Sequence, residues 1–246
     1  MTASRKSRAV PDLEVEKGLV APCQLIVAVD EVGRGALAGP VTVGLTFVAP
    51  HECGPHPEGL GDSKDVTPAR REALVPLIRD WVAAWGVGSA SPEEIDRFGI
   101  VAALRLAGQR AYIEALQQLA DDPAAGEAPI VILLDGVHDW LSTPEPDLFS
   151  DLVTDAESDS APEADALDGL DLPPVITRTK ADRDCASVSA ASILAKTHRD
   201  SVMVELSKAH PQYGWDTNKG YGSAKHRAAI LEHGATDNHR RTWKLL

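Results

Sequence analysis

The sequence predicts an α/β fold. Short apolar segments of strand length alternate along the chain with helical segments, which is the pattern of that class. Acidic residues stand directly after several of the apolar segments. With 246 residues and 43% hydrophobic content, the chain can bury one large core. Because open α/β sheets gather their functional groups at strand ends, these acids are the first candidates for a site.

The first half of the chain predicts three strands and two helices. Residues 25–29 form an apolar, β-branched run, and alternate residues from Val41 to Phe47 within 39–48 fall on one face of a second strand. Thr67 and Pro68 predict the cap and first turn of a helix that ends near residue 81. A strand follows at 85–90, and a cap at Ser91 then precedes a long amphipathic helix over about 100–119.

The second half predicts two more strands and one long helix. Residues 130–134 are fully apolar and end in Asp135, and residues 175–176 start a shorter strand before Asp182. Residues 187–208 predict a helix, followed by a helical or irregular tail.

One packed domain is predicted over residues 23–246. A tail is predicted before it, and an unpacked insert within it. Residues 1–22 are predicted to form a flexible N-terminal tail, because residues 1–17 are charged and lack an apolar run. Residues 139–174 carry eleven acids and no Lys or Arg, with many Pro, Ser and Ala residues, and are predicted to be a disordered insert. Its role is open: a solvated loop, a site for a protein partner, or an acidic flap that competes with nucleic acid.

Net charge does not exclude a nucleic-acid substrate. The chain carries −13, but the acidic insert accounts for most of this and leaves the remainder at only −2. No apolar stretch approaches the roughly 20 residues needed to span a bilayer, so no membrane association is expected. Three cysteines, without metal-like spacing, favour a reducing cytoplasm over a disulfide scaffold.

Four carboxylates are the candidate catalytic residues. Asp30 and Glu31 follow the first strand, Asp135 ends the fourth, and Asp182 lies just beyond the fifth. Carboxylates that converge at strand ends could hold two divalent ions such as Mg²⁺ or Mn²⁺, which suit phosphoryl transfer. Since consecutive strand residues point to opposite faces, Asp30 and Glu31 can share a site only if the strand has ended or bulged there.

Each feature also has an ordinary structural interpretation. Asp135 before glycine is typical of a turn, and Asp182 or its neighbour Asp184 could simply be solvated. The glycines at 33 and 35 also fit a loose dinucleotide-binding pattern. That interpretation fails because two acids would repel a pyrophosphate, and because a strand follows where a helix is required.

Six blocks together resemble a known family, the type 2 ribonuclease H or ribonuclease HII. They occur in family order from about residue 24 to residue 243. The blocks are Val-Asp-Glu-Val-Gly-Arg-Gly (29–35) with Ala-Gly-Pro (38–40); Leu-Gly-Asp-Ser-Lys (60–64); Leu-Leu-Asp-Gly (133–136); Ser-Ala-Ala-Ser-Ile-Leu-Ala-Lys-Thr-His-Arg-Asp (189–200); His-Pro-Gln-Tyr-Gly (210–214) through Lys-Gly-Tyr-Gly (219–222); and Glu-His-Gly-Ala-Thr (232–236) with His-Arg-Arg (239–241).

The resemblance implies an RNase H-like fold: a mixed five-stranded sheet with flanking helices and a C-terminal helical region. It implies a monomeric endonuclease that hydrolyses RNA in RNA–DNA hybrids and cuts 5′ of single ribonucleotides in duplex DNA, leaving 3′-hydroxyl and 5′-phosphate ends. It also implies two-metal catalysis with Mg²⁺ or Mn²⁺ held by Asp30, Glu31, Asp135 and Asp182.

The resemblance further assigns substrate contacts. Gly33, Arg34 and Gly35 would contact the backbone around the ribonucleotide, and Tyr221 would stack on a sugar at the junction. Glycines allow close approach of the main chain, and a 2′-hydroxyl is what distinguishes RNA from DNA. Five polar residues are candidate phosphate contacts: Ser63, Lys64, Lys180, Lys196 and Lys219. Each lysine alone is more often simply solvated, and Lys196, inside a helix of small residues near the site, is the leading exception.

The sequence departs from the family pattern in two places. Lys180-Ala181-Asp182 stands where the family usually has Lys-Gly-Asp, and the acidic insert lengthens the spacing from Asp135 to Asp182. The Ser-Ala-Ala-Ser block after Asp182 anchors the assignment of the fourth ligand.

Two alternative functions are weighed against this one. A non-catalytic nucleic-acid-binding module would place four carboxylates against phosphates without cations, which is repulsive. The type 3 ribonuclease H adds an N-terminal substrate-binding domain, for which the stretch before Asp30 is too short.

Overall fold

The computed structural model describes residues 10–120, 131–142 and 170–246. Most of the acidic insert therefore lies outside the described residues, as do residues 1–9. Across the described ranges, no helix is long and apolar enough to cross a membrane.

Five strands form one mixed sheet, as predicted. They are β1 (Ile26–Val32), β2 (Val41–Val48), β3 (Ala84–Ala90), β4 (Val131–Asp135) and β5 (Val175–Arg178). Their order across the sheet is β3-β2-β1-β4-β5. β1 pairs antiparallel with β2 and parallel with β4, while β2–β3 is antiparallel and β4–β5 parallel. The carboxyl ends of β1, β4 and β5 consequently meet at one edge of the sheet.

Helices cover both faces of the sheet. The capping residues predicted from the sequence for α2 and α3 are found at the starts of these helices. In order they are α1 (Glu14–Leu19), α2 (Pro68–Trp81), α3 (Pro92–Ala120), α4 (Ala181–Asp184), α5 (Ala186–Ala209), α6 (Trp215–Asn218) and α7 (Ala224–His233). The Thr67 hydroxyl caps α2. At the start of α3, Ser91 and Glu94 form a reciprocal capping box. α3 begins earlier than expected and is kinked at Gly99, whose φ is 79°.

Alternate strand residues separate two cores. Val27, Val29 and the odd-numbered face of β2 pack with α3, as the alternation in 41–47 predicts. Ile26 and Ala28 pack on the other face with α2 and α5. α5 approaches the sheet closely at Gly44, where a Cβ would lie 2.4 Å from the Ala191 carbonyl oxygen. Since Gly44 is paired with Asp30, this close approach brings the middle of α5 to the end of β1.

The predicted flexible tail is wrong for residues 10–22. α1 lies in this segment, and Leu13 and Val20 are buried in the second core. Glu16 is fully buried and its Oε1 accepts hydrogen bonds from the Ser187 backbone N–H at 3.0 Å and the Ser187 hydroxyl at 2.6 Å. The segment is ordered because it supplies a carboxylate to the otherwise unsatisfied first turn of α5.

Candidate active site

The candidate carboxylates lie around the carboxyl ends of β1 and β4. The parallel β1–β4 ladder ends at Val29–Leu134, so Asp30 and Asp135 directly follow its last paired residues. Asp135 Oδ1 accepts a hydrogen bond of 2.7 Å from the Ala181 N–H, which attaches the start of α4 to the end of β4. Asp182, the next residue, is thereby drawn into the same group, and it is 7% exposed.

The Ala181 departure from the family pattern costs no backbone strain. The left-handed conformation at this turn is adopted by Lys180, with φ of 63°, and not by Ala181. Ala181 is fully buried. The turn therefore does not require glycine at position 181.

The strand neither ends nor bulges at Asp30 and Glu31, which was the condition for both side chains to lie on one side of it. β1 continues without a bulge to Val32, with Asp30 opposite Gly44 and Glu31 opposite Val43. Their side chains consequently leave opposite faces: Asp30 lies beside Ser192 of α5, and Glu31 lies 3.6 Å from the Arg34 guanidinium. Burial raises the pKa of both, and the negative charge of Asp135 raises each further, so both interact with Asp135.

Burial and mutual repulsion keep two of these carboxyls unusually basic. Burial raises the pKa of Asp30 well above its ordinary value, and the charges of Glu31, Asp135 and Asp182 raise it further. Burial, followed by the charge of Asp135, raises the pKa of Asp182 to about 6. A positive charge placed among these groups would relieve the repulsion.

The donor set fits a hard divalent cation, because oxygen ligands are what Mg²⁺ and Mn²⁺ prefer. It is not a finished ligand shell. In the ranges given above, no three His, Cys, Asp or Glu side chains lie close enough to hold an ion by themselves. Three of the carboxylates already have a protein partner. Asp30 accepts from the Glu31 N–H, and Asp135 accepts from the Ala181 N–H. Glu31 pairs with Arg34. Charges interact over longer distances than ligation allows, so electrostatic coupling and the lack of a closed cluster are compatible.

The first two candidate phosphate contacts differ in position. Lys64 is exposed beside the carboxylates; burial lowers its pKa, but Asp62, Asp182 and Asp30 outweigh this and raise it overall. Ser63 is only 4% exposed, and its hydroxyl lies 2.9 Å from that of Ser192. The Ser63 hydroxyl faces the protein interior beside Ser192, and its contact with a phosphate stays a prediction.

The other three lysines are spread out. Lys180 is exposed and stands two residues before Asp182. Lys196 is paired with Asp200 at 2.5 Å, and Asp200 also binds Arg71 at 2.8 Å. The Lys219 ammonium donates to the Asp216 carbonyl oxygen. Of the candidate lysines, Lys64 is the one whose charge is coupled to Asp30 and Asp182.

The Gly33–Gly35 loop and Tyr221 lie side by side. Gly33 is buried, Arg34 and Gly35 are exposed, and Tyr221 is 39% exposed. The Gly220 carbonyl oxygen accepts hydrogen bonds from the Leu37 and Ala38 N–H groups, at 2.8 and 3.2 Å. The structure therefore brings together two predicted recognition elements that are far apart in sequence.

Four residues of this neighbourhood were not singled out from the sequence: Asp62, Ser192, Arg199 and Arg240. Asp62 raises the pKa of Asp182, and Ser192 lies beside Asp30. Arg199 and Arg240 hold the loop after β1 through backbone carbonyls. All four fall within the six sequence blocks, which was the signal that could have found them.

A buried histidine pair supports the turn that carries Tyr221. His226 Nδ1 lies 2.9 Å from the Tyr221 carbonyl oxygen, so this nitrogen bears the proton, and Nε2 accepts from Trp215 Nε1 at 3.0 Å. His239 Nδ1 accepts from the Thr236 N–H at 2.9 Å, leaving its Nε2 to donate to His226 across 3.2 Å. Both rings are neutral in this arrangement.

This pair should make stability depend on pH. Burial, followed by the neighbouring His226, lowers the pKa of His239 to about 4, and burial also lowers that of His226. Unfolded histidine binds a proton near pH 6.5. Between about pH 6.5 and pH 4 the unfolded state therefore binds more protons than the folded state, and the free energy of unfolding decreases as the pH is lowered through this range. Each pKa unit corresponds to ~1.4 kcal/mol.

The control for this prediction is His239→Asn, which keeps an acceptor for Thr236 but does not titrate. The carboxyls with raised pKa act with the opposite sign in the same window, and subtracting the variant removes their effect. Chemical denaturation between pH 7 and pH 4 should show the stability advantage of the wild type shrinking by a few kcal/mol at most. A pH-independent difference contradicts the neutral pair.

Comparison with known proteins points to one family. The family model described as Ribonuclease HII matches residues 27–125 and 151–246. A ribonuclease HII of Streptomyces avermitilis is 40% identical over 96% of this chain and 84% of its own length. One from Paracoccus denitrificans is 40% identical over 95% and 91%. The crystal structure of the ribonuclease H2 from Pyrococcus horikoshii OT3 superposes with a TM-score of 0.55 and 25% identity, covering 90% of this chain and 95% of that one.

Proposed function

Because this chain belongs to the ribonuclease HII family, metal-dependent ribonucleases that act on the RNA of RNA–DNA hybrids, we propose that it also cuts duplex DNA on the 5′ side of a single embedded ribonucleotide. The products are a 3′-hydroxyl and a 5′-phosphate. The cofactor is Mg²⁺ or Mn²⁺, held by Asp30, Glu31, Asp135 and Asp182. Asp30 and Glu31 leave opposite faces of β1, but the charge of Asp135 acts on both, so they would bind on either side of Asp135 and not from one face of the strand.

One observation carries this proposal: the recognition loop begins two residues after the catalytic acids. Asp30 and Glu31 stand just before Val32, the last residue of β1. Gly33 to Gly35 follow Val32 directly, beside the Tyr221 turn. A sugar read by this loop and ring therefore lies beside the phosphate that faces the carboxylates. Recognition of the ribose and the position of the cut are coupled by the geometry of the chain.

The chemistry of this cut requires water as the nucleophile. The nucleotide on the 5′ side of the scissile phosphate is a deoxynucleotide, which has no 2′-hydroxyl to attack the phosphorus. Bound divalent cations supply the charge that activates water and stabilises the leaving 3′-oxygen. Burial first, and then the charges of neighbouring carboxylates, raise the pKa of Asp30 and Asp182, so a bound cation would favour the charged form of both.

The substrate-side residues have separate roles. Arg34 is exposed and paired with Glu31, so it can exchange a carboxylate for a phosphate. Lys64 is coupled to the carboxylates, and the exposed Lys180 stands two residues before Asp182. Both provide positive charge for the backbone, which positions the duplex without reading sequence. Tyr221 presents an exposed ring to a sugar. We propose that the protein works as a cytoplasmic monomer, with the acidic segment 139–174 available to a protein partner.

The test compares three duplexes of one sequence: an RNA–DNA hybrid, DNA with one ribonucleotide, and DNA alone. With Mg²⁺ or Mn²⁺, the first two should be cut and the third should not, and a chelator should stop both reactions. A wild-type protein that cuts the hybrid but leaves the single ribonucleotide intact contradicts the proposal while leaving family membership untouched.

A further inference from the structure

Two fully buried arginines lie beneath the recognition elements. Arg199 of α5 and Arg240, in the segment after α7, both have 0% exposure. Within the described ranges neither forms a salt bridge with a carboxylate; their hydrogen bonds go to backbone carbonyls. Burial lowers the pKa of both groups. Burying guanidinium groups without counter-charges is unfavourable, and apolar residues often fill such positions at no loss of stability.

Arg199 connects the loop after β1 to the turn that carries Tyr221. Its Nε donates to the Pro40 carbonyl oxygen at 2.8 Å and its Nη2 to that of Ala38 at 3.1 Å. Its Nη1 donates to the Lys219 carbonyl oxygen at 2.9 Å, two residues before Tyr221. One rigid guanidinium fork therefore fixes both segments from below.

Arg199 also contacts the recognition residues themselves. Its guanidinium carbon lies 5.6 Å from the centre of the Tyr221 ring, within the range of a cation–π contact. A Cβ placed on Gly33 would lie 2.1 Å from Arg199 Nε, so Gly33 rests directly on this side chain.

Arg240 fixes the same loop from a second direction. Its Nη2 and Nη1 donate to the Gly33 and Arg34 carbonyl oxygens at 2.6 and 2.8 Å. With both carbonyls bound from inside, the main chain of the loop can present its other side to a nucleic acid.

We propose that Arg199 is a positioning residue for ribonucleotide recognition, which sets the Gly33–Gly35 loop and the Tyr221 ring in one geometry, with Arg240 holding the loop in register. The inference rests on the proposed cleavage at single ribonucleotides. It does not make either arginine a catalytic residue, since neither reaches the substrate. Their effect is transmitted through Gly33, Arg34 and Tyr221.

The test is a double-mutant cycle with Arg199→Lys and Tyr221→Ala, measured as kcat/KM on DNA with one ribonucleotide. Lysine keeps the charge but lacks the planar fork. Because a displacement of about 1 Å can cost on the order of 10²-fold in rate, Arg199→Lys should lower kcat/KM by a factor of that order. If Arg199 acts by placing Tyr221, the double variant should be little worse than the poorer single variant.

The matched control is Arg110→Lys on α3. Arg110 donates to the Ser89 carbonyl oxygen at 2.7 Å and pairs with Glu94, so it loses the same fork in an ion pair outside the recognition elements. Its kcat/KM should stay near the wild-type value. Its effect should add to that of Tyr221→Ala.

Four outcomes overturn the inference. Additive effects of Arg199→Lys and Tyr221→Ala would show that the arginine is merely structural, and wild-type kcat/KM in Arg199→Lys would show that it is dispensable. If Arg199→Lys does not fold, the test is the equivalent double-mutant cycle of Arg240→Lys with Arg34→Ala. Additive effects in that cycle would likewise show that the arginine is merely structural. A wild-type protein that does not cut overturns the proposed function and this inference together, whereas a cutting wild type with an additive cycle overturns this inference alone.

Discussion

Asp135→Asn is expected to abolish cleavage of both the hybrid and the single-ribonucleotide duplex while the protein stays folded. Asparagine keeps the Oδ1 acceptor that binds the Ala181 N–H at 2.7 Å, so the attachment of α4 to β4 survives. It removes the negative charge that a divalent cation requires. Loss of an essential group of this kind lowers kcat on the order of 10⁴-fold.

The control for this variant is Asp184→Asn. Asp184 lies two residues from Asp182, but it is 43% exposed and pairs with Arg178 at 3.4 Å on the surface. Exposed pairs contribute ~0–1 kcal/mol, so Asp184→Asn should keep both the wild-type melting temperature and the wild-type rate. Turnover by Asp135→Asn at a wild-type rate, or equal losses in the two variants, would sink the carboxylate assignment.

Gly33→Ala should be the most damaging single-methyl change in the recognition loop. The new Cβ would lie 2.1 Å from Arg199 Nε, and alanine would have to adopt φ of 87°. That backbone conformation costs a non-glycine residue about 1–3 kcal/mol. Displacement of the loop should lower kcat/KM on the order of 10²-fold. Denaturant unfolding and steady-state kinetics on the single-ribonucleotide duplex measure the two effects.

Gly35→Ala provides the stability control from the same loop. A Cβ at Gly35 meets nothing within 4 Å, and no left-handed φ is required there. Its free energy of unfolding should stay within about 0.5 kcal/mol of wild type. Equal destabilisation by the two alanines would mean that Arg199 moves away from the new methyl group at position 33 without loss of stability. That result would contradict the close packing.

The sheet and its main helices could be predicted because their signals are local. Alternation in β2, the fully apolar β4 and the Thr67 cap of α2 each depend on neighbouring residues. α1 could not be predicted, because six residues make a marginal helix and its stability comes from tertiary contacts. The Glu16 carboxylate finds its partner at Ser187, across a separation of 171 residues.

The candidate site was predictable where acids stand at strand ends, and obscure where distant backbone atoms define it. Asp30 and Asp135 were indicated directly, because each follows the apolar run of its strand, β1 or β4. No pattern at Arg240 indicates that it binds the Gly33 carbonyl oxygen, 207 residues away in sequence. The inward position of Ser63 was missed for the same reason, since it depends on how closely α5 packs on Gly44.

The most direct test of the account is to map the ends that the wild-type protein leaves on DNA containing one ribonucleotide. Water attack directed by the carboxylates predicts a cut on the 5′ side of the ribonucleotide, with a 3′-hydroxyl on the deoxynucleotide and a 5′-phosphate on the ribonucleotide. A cut on the 3′ side that leaves a 2′,3′-cyclic phosphate would show attack by the 2′-hydroxyl and contradict the account.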